Sequence, residues 1–189
     1  MEIDQKRILI QRIKILPTIP VIFHRILQCT EDPKSSASDL KETILKDQSI
    51  SAKILNLANS AYYGYMKKVE DITQAIVILG FDTIIDVAVS VSVLKAFNDI
   101  RIEVFEKEKF WMHSLATAET SKLISKYLQE KSLEVYFIIG LLHDIGKVIL
   151  SYFFSEDYDT VIFDTRVSNS YVYESEKKVF GFDLSLIHI

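Results

Sequence analysis

Two histidines, one aspartate and one lysine are the side chains whose types and spacing could do chemistry. His143 and Asp144 are adjacent in "GLLHDIGKVIL", Gly140 to Leu150, with Lys147 one helical turn beyond, and His113 lies upstream in "FWMHSLATA". A neutral imidazole and a carboxylate are both good ligands for Zn, Mn or Fe, so the three could form a facial set around a divalent metal. Lys147 could steady a phosphate oxygen or simply extend its ammonium into water.

A plainer reading stands beside this one. If residues 133 to 154 form one helix, advancing about 100° per residue places Ile138, Leu141, Leu142, Ile145, Val148 and Ile149 on a wide apolar face. His143, Asp144, Lys147 and Ser151 then share the opposite arc, as on any solvated helix. Neighbouring residues on a helix diverge, so His143 and Asp144 could share a metal only across a groove between helices. A histidine retained as a hydrogen-bonding core residue, with Asp144 as its partner, fits the same pattern.

Other nucleophiles and aromatics carry less. Cys29 is the single cysteine, and its expected role is a small buried hydrophobe. Ser114 beside His113 lacks a third group, and adjacent helical residues do not face each other. Tyr62, Tyr63 and Tyr65 around Gly64 read as packing or interface. There is no Walker or Rossmann glycine pattern.

These residues must be positioned by helices. "LPTIP", Leu16 to Pro20, interrupts a helix predicted over residues 3–15. A second helix follows from Val21 and stops at Glu31 to Pro33. Ser36 with Asp39 forms a capping-box start for a helix through Lys46. A helix over Ser49 to Asn59 keeps Ile50, Ile54, Leu57 and Ala58 on one face. Asp71 can cap "ITQAIVIL", which Gly80 closes. In the next run Val87, Val89, Val91 and Val93 alternate with small residues, a strand pattern by itself, but the flanking segments favour helix. Met112, Ala116, Leu123 and Tyr127 fall at helical spacing in the segment carrying His113. Beyond Phe154 the chain turns polar and tyrosine-rich, with one last helix expected around Tyr171 to Phe180.

Composition bounds the rest. The chain has 189 residues, 49% hydrophobic and 25% charged, enough for one substantial core or two small ones. With 22 basic against 26 acidic side chains and a net charge of -4, it has no global field to draw in DNA or RNA. A lone cysteine excludes an internal disulfide framework and fits a reducing cytosol. The N-terminus lacks a signal-peptide core, and the richest apolar run, Ile84 to Phe97, is shorter than the roughly 20 residues of a membrane span. The expectation is a cytoplasmic protein with no membrane contact.

"FWMHSLATA" followed by "GLLHDIGKVIL" resembles the HD superfamily of metal-dependent phosphohydrolases. "LPTIP", "DQSISAKILNLANSAYYG" and "ITQAIVILGFDTI" are similar, more narrowly, to the N-terminal part of HDOD domains, bacterial signalling modules commonly thought to have lost catalysis. The resemblance runs from about Leu16 to Asp183. It implies an all-α multi-helix bundle, HD-like with an N-terminal helical subdomain: residues 1–100 as the N-terminal part, 101–183 as an incomplete HD-like part, and 184–189 as a truncated or foreign tail. On that reading His188 is incidental, and the uncovered core favours self-association.

The resemblance also assigns roles. His113 matches the first metal-ligand position of the superfamily, and His143 with Asp144 matches the pair that names it. Lys147 occupies the lysine position of the "HDIGK" form found in HD-GYP cyclic di-GMP phosphodiesterases. There is no "GYP" tripeptide, Leu184 stands where the pattern would continue with histidine, and the superfamily's last metal-binding aspartate has no counterpart. The implied function is a signal-transduction module that binds protein partners, with the metal ligands vestigial. The alternative is a metal-dependent phosphohydrolase acting on a nucleotide or cyclic dinucleotide, with Lys147 on the phosphate.

Overall fold

The computed structural model describes residues 20–31, 35–65, 67–98 and 106–183. Every regular element among them is helical. The expected helix over residues 3–15, most of "LPTIP" and the tail with Leu184 and His188 lie outside the described residues. The described residues form two compact units, one over residues 20–98 and the other over residues 106–183.

The first unit contains α1 (Val21–Glu31), α2 (Ala37–Leu45), α3 (Gln48–Ala58), α4 (Ile72–Leu79) and α5 (Phe81–Ala96). The expected capping box forms: the Ser36 side chain accepts from the Asp39 N–H, and the Asp39 carboxylate accepts from the Ser36 N–H. Asp47 caps α3 by accepting from the N–H groups of Ser49 and Ile50 at 2.9 and 3.2 Å. Asp71 occupies the N-cap position of α4 but makes no side-chain cap bond; it pairs with Lys41 instead. α4 and α5 meet at an angle of 114°. Gly80 makes that corner with φ 83° and ψ 158°, a combination open almost only to glycine.

α5 is the valine-rich run, and it is a helix. It packs against α1, α3 and α4, so nearly its whole circumference is covered, as an all-round apolar helix requires. Its buried hydroxyls are satisfied within the helix, Ser90 donating to the Asp86 carbonyl and Ser92 to the Ala88 carbonyl, each at 2.7 Å. The alternation of valine and small residues thus serves close packing with no sheet.

One expectation in this unit is corrected. Cys29 is only half-buried, because it lies at the edge of the face on which Phe23 and Ile26 are buried. Tyr62 and Tyr65, read as packing or interface, lie outside the core. They are 88% and 58% exposed in the loop between α3 and α4.

The second unit contains α6 (Lys107–Tyr127), α7 (Leu133–Leu142), α8 (Ile145–Phe153), α9 (Ser155–Ser168) and α10 (Val172–Phe180). α6 and α7 form its most extensive pairing. A second apolar centre gathers Leu150, Phe154, Tyr158, Val161 and Phe180, joined by Phe153, Ile162, Val172, Val179 and Phe182. Beneath it Tyr158 donates to Glu176, both fully enclosed.

The sequence reading differs from this unit in three respects. Residues 133 to 154 are interrupted at His143 and Asp144, where Asp144 has φ -105° and ψ 9°. Ser151, placed on the polar arc by the one-helix reading, is buried and donates to the Val148 carbonyl. The polar stretch after Phe154 is helical, because Tyr158 and Val161 give α9 a buried edge despite its polar average. On α6 the Met112, Leu123 and Tyr127 stripe is exposed, while Phe110, Trp111, Ser114, Ala118, Lys122 and Ser125 face inward.

Candidate metal centre

The site is built where α6 runs alongside the junction of α7 and α8. Gly140 sets the spacing of α6 and α7. A Cβ at that position would lie 2.7 Å from the Ala118 Cα and 2.9 Å from its nitrogen, so only glycine lets the two backbones approach this closely. The approach brings His113, on α6, to the start of the break that carries His143 and Asp144.

The helix break supplies the rest. Because the backbone leaves helical geometry at Asp144, the neighbouring side chains converge instead of diverging. His143 Nε2 lies 3.4 Å from Asp144 Oδ2, and His113 Nε2 lies 3.8 Å from the same oxygen. The two imidazole Nε2 atoms are 3.3 Å apart. A groove between helices is therefore only half of the arrangement, and the interruption between α7 and α8 is the other half.

These separations suit a cation. Ligand atoms about 2.1 Å from a tetrahedral ion stand roughly 3.4 Å from one another, close to the spacing of this trio. The chemistry of the donors agrees. His143 Nδ1 lies 2.8 Å from the Gly140 carbonyl oxygen, which can only accept, so Nδ1 carries the hydrogen. That leaves the Nε2 lone pair aimed into the cluster, as is usual for a ligating histidine whose other ring nitrogen donates to a carbonyl. Within the cluster His113 then donates its Nε2 hydrogen to His143. Holding a cation would require that hydrogen to move to Nδ1, a change open to a ring that is 60% exposed.

Lys147 also joins the site. Its Nζ is 2.7 Å from Asp144 Oδ2, on the oxygen that both imidazoles approach. The sequence pointed to His113, His143, Asp144 and Lys147, and the fold brings all four together. Gly140, which contributes both a carbonyl and the close approach, was missed. A glycine in the interior of an apolar helix was the available signal. Tyr158 was missed as well; burial first, then Glu176 and more weakly Asp144, push its phenol well above the ordinary range, so it stays a neutral donor. No further histidine, cysteine, aspartate or glutamate enters the trio among the described residues.

The family model for the HDOD domain matches residues 16–187. The chain belongs to the HDOD domain family. Among solved structures, this HDOD chain is similar to an HDOD domain protein of unknown function from Geobacter sulfurreducens. That likeness has a TM-score of 0.80 and 26% identity, over 96% of this chain and 60% of the other. It is similar also to a provisionally named phosphohydrolase from Shewanella amazonensis, with a TM-score of 0.70 and 25% identity, over 94% of this chain and 62% of that one. An uncharacterised protein of Treponema pallidum (strain Nichols) is 27% identical over 144 residues, which are 74% of this chain and 27% of that relative. The HDOD chain thus spans about a quarter of its curated relative and under two thirds of these two structures. No single helix among the described residues is long and apolar enough to cross a membrane.

Proposed function

We propose that this HDOD chain is a regulatory module that holds a divalent cation through His113, His143 and Asp144 and acts by binding, without turning a substrate over. The observation that carries the reading is the donor set: two imidazoles and one carboxylate at mutual spacings of 3.3 to 3.8 Å, with the His143 tautomer fixed by Gly140. When bound, a divalent ion would polarise an oxygen-rich ligand such as a phosphate. The chain's own residues hold and orient the ion, and no further histidine, cysteine, aspartate or glutamate joins the ligand set among the described residues. The exposed apolar side chains Met112, Leu123, Ile124 and Tyr127 on α6 are compatible with a role in binding signalling proteins.

A second reading is a metal-dependent phosphohydrolase acting on a nucleotide or cyclic dinucleotide. It is favoured by one feature, the ammonium of Lys147 at the rim of the cluster, where it could meet a phosphate oxygen. The phosphohydrolase name of the Shewanella neighbour agrees with it.

Metal analysis combined with hydrolysis assays separates the two. The wild-type chain and Asp144→Ala are loaded with Mn2+ and offered cyclic di-GMP and a generic phosphodiester. Metal retention by the wild type alone, with no turnover by either protein, supports the regulatory module. Turnover by the wild type that Asp144→Ala abolishes establishes the hydrolase instead.

A further inference from the structure

Asp144 Oδ2 is claimed three times. It faces His143 Nε2 and His113 Nε2, and it accepts a 2.7 Å charge-assisted bond from the Lys147 ammonium. The carboxylate side chain is 13% exposed and that of Lys147 is 30% exposed, so the pair is only partly screened by water. A cation held by the two imidazoles and this oxygen would be a close neighbour of the ammonium, and two positive charges at such range repel.

We propose that Lys147 is a built-in competitor for the cation: its ammonium occupies Asp144 when the site is empty of metal and must swing away for metal to bind. This rests on the metal reading of the cluster given above and adds a regulation to it. The stem of Lys147 permits the motion. Lys147 lies in the first turn of α8 beside the break, and a four-carbon side chain can carry its charge from a partly buried partner into solvent without moving the backbone. The pairing also holds the carboxylate in place beside the two imidazoles in the absence of metal. Lys147 therefore sets a threshold, so that the site fills only when the free cation outcompetes the ammonium. Once released, the ammonium is available to an anionic ligand, which links occupation of the site by metal to a change in the charge it presents.

The test is a binding isotherm for Mn2+ on the full chain, followed by calorimetry, for wild type, Lys147→Met, Lys147→Gln and Lys147→Arg. Circular dichroism confirms that each variant keeps its helices. Because a neighbouring cation lowers a carboxylate's affinity for another positive charge by about one to three decades, removing it is expected to tighten Mn2+ binding by roughly tenfold or more in both Lys147→Met and Lys147→Gln, whereas Lys147→Arg stays close to wild type because it keeps the competing cation. The glutamine variant keeps the test decisive if the methionine variant fails to fold. Wild type that binds Mn2+ as tightly as, or more tightly than, the folded neutral variants overturns the competition and makes Lys147 an orienting partner of Asp144. No Mn2+ binding by any of the four proteins overturns the metal reading itself, and the competition with it.

Discussion

The Gly140 carbonyl accepts the Nδ1 hydrogen of His143 at 2.8 Å, and one helical residue thereby fixes both the tautomer of a candidate ligand and the distance to the helix that carries the other. Gly140 does the second by meeting the Ala118 backbone where no Cβ fits. Gly140→Ala is expected to push α6 and α7 apart at a cost of about 1–3 kcal/mol. A urea midpoint measures the stability loss, and Mn2+ calorimetry measures the accompanying loss of binding. A variant of unchanged stability and affinity would mean that the backbones are free to part without consequence.

Gly80 holds the corner between α4 and α5 with φ 83° and ψ 158°. Gly80→Ala forces a Cβ into that conformation, although nothing lies within 4 Å of it, so the cost is conformational and not steric crowding. The expected destabilisation is about 1–3 kcal/mol, read from thermal or urea unfolding, with the Mn2+ affinity left as it is.

Asp47 predicts a pH dependence. Burial works to raise its carboxyl, but hydrogen bonds from Lys95 and from the N–H groups of Ile50 and Ser49 outweigh it and hold the group below the ordinary carboxylate value. A depressed native value means that the contribution is complete above the unfolded value, near pH 4, and is lost as pH falls through the native one. Asp47→Asn keeps a capping oxygen and loses the Lys95 pairing. Its urea midpoint is expected to lie below wild type at neutral pH and to converge with it in acid. A gap that persists undiminished in acid would contradict this.

Tyr158 and Glu176 lie buried together, with the phenol donating at 3.3 Å. Tyr158→Phe removes one donor from an enclosed carboxylate, and a cost of about 1–3 kcal/mol is expected in chemical denaturation. A neutral substitution would show that the other contacts of Glu176 suffice.

How far the sequence discloses all this varies with the kind of feature. Local chemistry is legible: Ser36 with Asp39 announces a capping box, and Gly80 a helix stop, because each acts within one turn of chain. The valine run is ambiguous because β-branched alternation and close helix packing use the same residues, and only the cover supplied by α1, α3 and α4 decides between them. The types at the site are visible, whereas its geometry is not. Periodicity carries one helix through residues 133 to 154, so it separates His143 from Asp144 and turns Ser151 to water. The break at His143 and Asp144 leaves no periodic mark in the sequence. α9 escapes notice for a related reason: its few buried positions, Tyr158 and Val161, are diluted by exposed polar neighbours.

The central claim, that His113, His143 and Asp144 form a working cation site, meets its most direct test in metal content. The wild-type chain and Asp144→Ala are equilibrated with Mn2+, desalted and analysed for bound metal. The expected result is about one ion per wild-type chain, as a single set of three protein ligands allows, and a loss of most of it in Asp144→Ala. A wild-type chain that retains no more Mn2+ than the variant contradicts the claim.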